Sequence, residues 1–326
     1  MVNTDHFTIC SFQVSKTAVI RLHSLGDVVL AQPVASELSK NNEVYFVTLK
    51  EYEPVVLRMP GNIHPLTAGG NTGPFELRKL LGKISPDSVL DLQNSLASRI
   101  ASAGKPLIGR FRMDRKLRKM VMLHKAESMP LRTSDFMISA GLDLDVNPVL
   151  ENGNITPSDN LKIGIVTGGR WYLKSIPPGV VSETSRILSD VHDADILLIG
   201  AVEDRELLLR TAELTGRDRI ETFSGEEGLK GLIEVIENLD LLISPDSGPA
   251  HLASALGIPV LVVFTSTSPS LGFWKTGRRG NFMVDGLSCR PCHRHGGNHC
   301  PTRTELCRKG ILPFQLAGSA MELLET

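Results

Sequence analysis

Short apolar runs, each closed by a polar turn and followed by a stretch of helical spacing, recur along this chain. The first run covers 18–22. It leads through His23, Ser24, Leu25, Gly26 and Asp27 into the helix-like VVLAQPVASELSK and then a second run at 44–48. Strand, polar turn, helix and strand in that order make a βαβ unit, which requires a parallel sheet. The pattern predicts further strands over 89–92, 106–109, 162–166, 195–199, 240–244 and 260–264. Most of these runs are apolar throughout rather than alternating, as expected for strands covered by helices on both faces.

One break interrupts the pattern. Residues 147–160 (NPVLENGNITPSDN) are rich in Pro, Gly, Asn and Ser and read as a linker. The expected organisation is therefore two Rossmann-like α/β domains, 1–150 and 161–310, facing a central cleft. A helix within 311–326 is expected to cross back onto the first domain. No tandem repeat or low-complexity tract is visible. In open α/β sheets ligands sit beyond the carboxyl ends of the strands, which here places them in the cleft.

Composition narrows the functional classes. The 326 residues are 41% apolar and 22% charged, ordinary for a globular protein, with a formal net charge of -1. That balance argues against a general nucleic-acid-binding or membrane-coating role. No run of about 18 apolar residues suggests a membrane span. The N-terminus lacks a basic region followed by a long apolar stretch, so the expected compartment is the cytoplasm.

Three junctions carry candidate chemistry. The segment Ser244-Pro245-Asp246-Ser247-Gly248-Pro249-Ala250-His251 joins a strand to a helix. Asp246 or Ser247 can cap that helix, Pro249 suits its first turn, and Gly248 lets backbone approach a ligand. Free N–H groups and the positive helix end then suit a diphosphate, with His251 one turn in. The plainer reading is a capped buried helix with a hydrogen-bonded core histidine.

At the first junction Asp27 is either a helix N-cap or a cleft carboxylate able to act as a general base. At the third, Thr167, Gly168 and Gly169 end a strand, and Lys174 follows. This lysine is either a solvated surface cation or one that offsets charge on a departing diphosphate. Asp143-Leu144-Asp145 and Asp193-Ala194-Asp195 read as solvated turns rather than metal sites.

Taken together, RLHSLGDVVLAQPV, DLQNSLASR, the Gly-Gly turn with KSIP, IGAVEDRE and SPDSGPAHLASALGIPVLVVF resemble glycosyltransferase family 9, the ADP-heptose:lipopolysaccharide heptosyltransferases. The tail CRPCHRHGGNHCPTRTELC looks most like the heptosyltransferase II branch. Two positions depart from the family pattern: Ser247 stands where threonine is frequent, and Lys174-Ser175-Ile176-Pro177 replaces Lys-x-Trp-Pro.

The resemblance implies a GT-B fold whose N-terminal domain receives the acceptor and whose C-terminal domain holds the sugar nucleotide. It implies inverting transfer of heptose from ADP-heptose to the lipopolysaccharide inner core. Asp27 is then the catalytic base and Lys174 a phosphate contact. Gly26, Thr167, Gly168, Asp246, Ser247, Gly248 and His251 join the donor site. An acidic residue after the next strand holds nucleotide or sugar, with Glu203 the better match and Glu206 nearby. Since cationic residues and a helix end neutralise the diphosphate, no cofactor is required for the chemistry. Competing functions are transfer from another nucleotide sugar and a silent nucleotide-sugar-binding protein. A dinucleotide oxidoreductase is disfavoured, because no Gly-x-Gly-x-x-Gly turn follows a predicted strand.

Two clusters remain. Over 109–132, Arg110, Arg112, Arg115, Lys116, Arg118, Lys119, Lys125 and Arg132 face only Asp114 and Glu127. Leu117, Met120, Val121 and His124 are expected on one helix face there. The cations are either a solvated face or a docking surface, led by Arg115, Lys116, Arg118 and Lys119, for a phosphorylated lipid-linked acceptor at the inner leaflet. That second reading implies peripheral contact with the cytoplasmic membrane. Cys289, Cys292, Cys300 and Cys307 have the number of ligands for a structural zinc. Free thiols or a redox-sensitive pair are the other readings.

Overall fold

The computed structural model describes residues 14–70, 72–153, 155–156, 159–273 and 279–325. The first lobe runs β1 (Ser15–Ile20), α1 (Leu25–Leu30), α2 (Gln32–Ser39), β2 (Asn42–Leu49), α3 (Glu53–Val56), β3 (Ile63–Ala68), α4 (Pro74–Ile84), β4 (Ser88–Asp91), α5 (Leu96–Ala101) and β5 (Leu107–Arg110). Helices α6 (Arg115–Met122) and α7 (Arg132–Ser139) complete it. Its sheet is parallel, ordered β3-β2-β1-β4-β5, with Ile20 level with Val47 on one side and Asp91 on the other. The single helix expected after β1 is two, because Pro33 in the first turn of α2 lacks the N–H that would continue α1.

The second lobe runs β6 (Lys162–Val166), α8 (Pro178–His192), β7 (Asp195–Ile199), α9 (Arg205–Thr215), β8 (Ile220–Phe223), α10 (Gly228–Ile236), β9 (Leu241–Pro245), α11 (Gly248–Ala255), β10 (Val260–Val263) and β11 (Arg279–Phe282). Its parallel sheet is ordered β11-β10-β9-β6-β7-β8. Strands β9 and β10 are buried at every position, as their apolar runs require. Helices α12 (Leu306–Lys309) and α13 (Pro313–Glu325) follow.

Helix α13 corrects one expectation. It packs on α8, β11, β10 and β9, and it does not leave the second lobe to cap the first. Leu316, Ala317 and Ala320 face the sheet and join the core built from Ile163, Leu198 and Leu261. Burying that apolar stripe is the driving force that keeps it there.

The segment expected as a linker binds both lobes. Leu150 is buried, with its N–H donating to the Ala255 carbonyl over 2.8 Å. Arg58 of the first lobe reaches the carbonyl of Glu151 and the carboxylate of Glu237 in the second. A continuous apolar core spans the join, from Val28, Val29 and Phe46 to Ala250, Leu252 and Phe264.

Leu316→Ala tests the placement of α13. It should cost about 2–4 kcal/mol of stability, by lost burial plus the cavity left behind. Urea denaturation measures it, and a loss below about 0.5 kcal/mol would mean that the helix is not part of this core.

Candidate active site

Between the lobes lies a cavity of about 1160 Å³. Most of its wall follows strand ends: Arg21 and His23 to Asp27 after β1, Tyr52 after β2, Gln93 after β4, Gly168 to Trp171 after β6, Gly200 to Asp204 after β7, and Asp246 to Gly248 after β9. This is the crevice at the carboxyl ends of two parallel sheets that the fold favours for ligands.

Asp27 lies in the first turn of α1, and Ser24 rather than Asp27 occupies the cap position. Its carboxylate pairs with Arg21, and the Nε of Arg132 stands 3.7 Å from its other oxygen. Asp27 therefore lines the cavity and does not cap α1.

Opposite it, Ser247 sits at the cap position of α11 without a side-chain capping bond. Its hydroxyl instead meets that of Ser244 at 3.1 Å. Asp246 does not cap either: it accepts from Lys174 Nζ at 3.1 Å and from the Thr267 hydroxyl at 2.8 Å. Lys174 is thus drawn into the cavity, its side chain only 17% exposed, rather than out to solvent.

His251 is buried against Gly26. Burial pushes its pKa down to about 4, against the opposing pull of Asp246 and Asp27, so it is neutral near pH 7. Burial also lowers His23 and His295, both on the cavity wall.

Of the expected donor residues, Gly26, Gly168, Lys174, Glu203, Asp246, Ser247, Gly248 and His251 all line the cavity. Thr167 does not. It is buried behind the wall, with its hydroxyl and N–H both directed to the Ile199 carbonyl, because it closes the β6–β7 pairing. Glu206 is also off the wall, pairing with Arg210 on the exposed face of α9.

On α6, Arg115, Lys116 and Lys119 are exposed and none of the four expected acceptor residues lines the cavity. Arg118 is half-buried, and its pKa is lowered by burial and by the charges of Arg294, Arg132 and Arg115. The expected apolar face is shorter than the spacing suggested. Val121 is buried and Leu117 packs beside it, whereas Met120 is exposed and His124 lies past the helix end with φ 54°.

The four C-terminal cysteines are free thiols. Burial first, then the neighbouring thiolates, would push Cys292 up to about 11, while the Thr302 hydroxyl draws half-buried Cys300 down to about 7. Among the described residues no group of three or more His, Cys, Asp or Glu side chains is placed to hold a metal ion, so the tetrahedral set suggested by the spacing is not presented here. The segment instead delivers Arg294 and His295 to the cavity.

Several wall residues had no distinguishing sequence signal. Arg21 sits inside the first motif without an evident role there. Arg132 is indistinguishable from its neighbours in the basic patch, and Asp204 follows Glu203 as one more turn acid. Asp204 packs against Gly168, where a side chain would collide with its carboxylate.

Two parallel α/β lobes facing a cleft, with a carboxylate on one and a helix start and a lysine on the other, make a GT-B type of fold. Residues 154–297 match the family model described as Glycosyltransferase family 9 (heptosyltransferase). It is 23% identical over 322 residues to lipooligosaccharide heptosyltransferase 2 of Campylobacter jejuni, covering 92% of this chain and 96% of that one. The fold is similar to that of E. coli ADP-heptose lps heptosyltransferase II, with a TM-score of 0.73 and 18% identity over 95% of this chain and 98% of the other. It is also similar to E. coli heptosyltransferase WaaC with ADP, at 0.68 and 17% over 94% and 99%. Among the described residues no helix is long and apolar enough to cross a membrane.

Protonating buried His251 links stability to pH. Between pH 6.5 and about 4 the unfolded chain binds a proton that the folded site refuses, so stability falls as pH falls through that window. Between pH 7 and 4.5 the wild type should lose roughly 2–3 kcal/mol more than His251→Gln. Equal losses in urea titrations would rule out His251 as the source.

Proposed function

We propose that this chain transfers heptose from ADP-heptose to the inner core of lipopolysaccharide, by a single displacement that inverts the anomeric carbon. The observation that carries the proposal is the placement of Asp27, Lys174 and the start of α11 on one cavity. The names of the relatives supply the sugar and the class of acceptor.

In this scheme the donor diphosphate lies against the N–H groups at Ser247 and Gly248 and near Lys174, where dipole and charge favour it. Glu203 and Asp204 are placed to meet nucleotide or sugar hydroxyls. The acceptor saccharide enters from the first lobe. Its hydroxyl oxygen forms a bond to the anomeric carbon as the bond from that carbon to the diphosphate oxygen breaks. The hydroxyl proton passes to Asp27, and the electron pair leaves with ADP. Neutral His251 packs beside Gly26 without adding charge. No metal or organic cofactor enters the reaction. Any metal on the cysteine segment is structural, since what the segment brings to the cavity is Arg294 and His295.

We further assign the exposed cations of α6 to attraction of a phosphorylated, lipid-linked acceptor, with peripheral contact at the inner face of the cytoplasmic membrane. Such a surface acts from outside the cavity, which fits the exposure of Arg115, Lys116 and Lys119.

Two experiments test this. Asp27→Ala should lower transfer by about 10²–10⁴-fold while donor affinity by calorimetry stays within a few-fold. Undiminished transfer would eliminate Asp27 as the base, and a wild type that binds ADP-heptose without transferring it would be a binding protein. Tighter binding of a UDP-, GDP- or other ADP-sugar would reassign the donor. Replacing Arg115, Lys116, Arg118 and Lys119 together by glutamine should raise the acceptor KM and leave the donor KM unchanged. Identical kinetics would remove the docking role of α6.

A further inference from the structure

Arg132 is a cation held inside the cavity wall with more donor capacity than the protein uses. Its side chain is only 7% exposed, and it lines the cavity beside Asp27. Its Nε is buried without a hydrogen-bond partner, as is the Asp27 oxygen 3.7 Å away. That separation permits Coulombic attraction and is too long for a hydrogen bond.

The contrast with Arg21 is informative. Arg21 gives one Nη to the Leu92 carbonyl at 2.9 Å and the other to Asp27, so its fork is taken up by the protein. One cation is enough to balance Asp27, and the charge of Arg132 is then left over. A guanidinium stays ionised in proteins and carries five donors, so a buried one without full partners is costly unless a ligand completes it. Asp135, a turn further along α7, also attracts Arg132 but does not line the cavity.

Packing explains how the side chain is kept there. Its guanidinium lies 4.6 Å from the ring centre of Phe111 in the first lobe and 5.1 Å from that of Phe273 in the second. Its own N–H donates across the join to the Gly272 carbonyl over 2.8 Å. Stacked faces leave the edge of the planar fork as its binding surface, the geometry suited to a carboxylate or phosphate.

We propose that Arg132 is the receptor for an anionic group, carboxylate or phosphate, carried by the acceptor saccharide close to the hydroxyl that reacts. The inference rests on the acceptor reading given above and deepens it. The cations of α6 act at long range from the surface, whereas Arg132 reads a single anion beside the base. A neutral sugar in that position leaves the buried cation short of partners, which is how a polar site rejects a ligand lacking the matching group. Since Phe273 belongs to the other lobe, the receptor is complete only where the two lobes meet.

The test uses de-acylated lipopolysaccharide core saccharide in four forms: intact, carboxyl-reduced, dephosphorylated, and both. Binding is read by calorimetry without donor, and transfer is read separately. For the wild type, one of the two single modifications should weaken binding by about 30-fold or more, and that modification identifies the anion. Arg132→Gln should lose a similar factor on the intact saccharide and little further on the neutralised one. Arg132→Lys, which keeps charge without the fork, should fall between. Donor affinity should stay within about twofold in both variants. A wild type indifferent to both modifications overturns the proposal, whether or not the variants fold. So does an Arg132→Gln loss of equal size on all four forms. Anion-dependent binding without any heptose transfer supports Arg132 and counts against the reaction instead.

Discussion

The site depends on the contact between the start of α1 and the start of α11. A Cβ on Gly26 would lie 2.7 Å from the His251 ring, and one on Gly248 would lie 2.8 Å from Leu25. Real side chains do not approach so closely, so each glycine is the condition for the other lobe's residue to sit where it does. The contact does more than join two lobes. It sets the separation between a carboxylate at the end of one sheet and an open helix terminus at the end of the other. Around it the apolar core runs unbroken from one lobe into the next.

Electrostatics follow from that geometry. The chain as a whole is nearly neutral, with a formal charge of -1. Yet Arg21, Arg132, Arg170, Lys174 and Arg294 all reach the cavity wall. Low dielectric surroundings make their fields stronger than the same charges would exert in water. Acidic partners restrain them unevenly: Asp246 holds Lys174, while Asp27 holds Arg21 firmly and Arg132 at arm's length. Burial keeps His251 neutral in the middle of this array, so it shapes the site without adding to its charge. Such an arrangement puts positive charge on the walls of both lobes.

Much of this was legible in the residues themselves. The central strands were readable because a strand covered on both faces must be apolar throughout, as in β9 and β10. The strands that pattern missed were β3, β8 and β11, all at sheet edges. Their polar positions, as in Ile220-Glu221-Thr222-Phe223, are tolerated there because one side faces solvent. The strand–turn–helix junctions around Asp27 and Asp246 were legible for a different reason. A tight turn, a helix start and a polar side chain at fixed spacing are a local code, written within ten residues.

What the sequence determined by itself, then, was what periodicity and local turn chemistry can encode: two parallel α/β units, and the strand–turn–helix junctions whose side chains line the cavity. Tertiary structure decided the rest. It turned Thr167 away and kept Glu203 rather than Glu206 on the wall, because a shift of a few residues along a turn changes which way a side chain points. It left α13 on the second lobe, where an apolar stripe met its complement. It separated Arg132 from the cations near it in sequence, since burial between Phe111 and Phe273 needs two segments about 160 residues apart to meet. Burial and partner choice are properties of such meetings, and no local stretch of residues contains them.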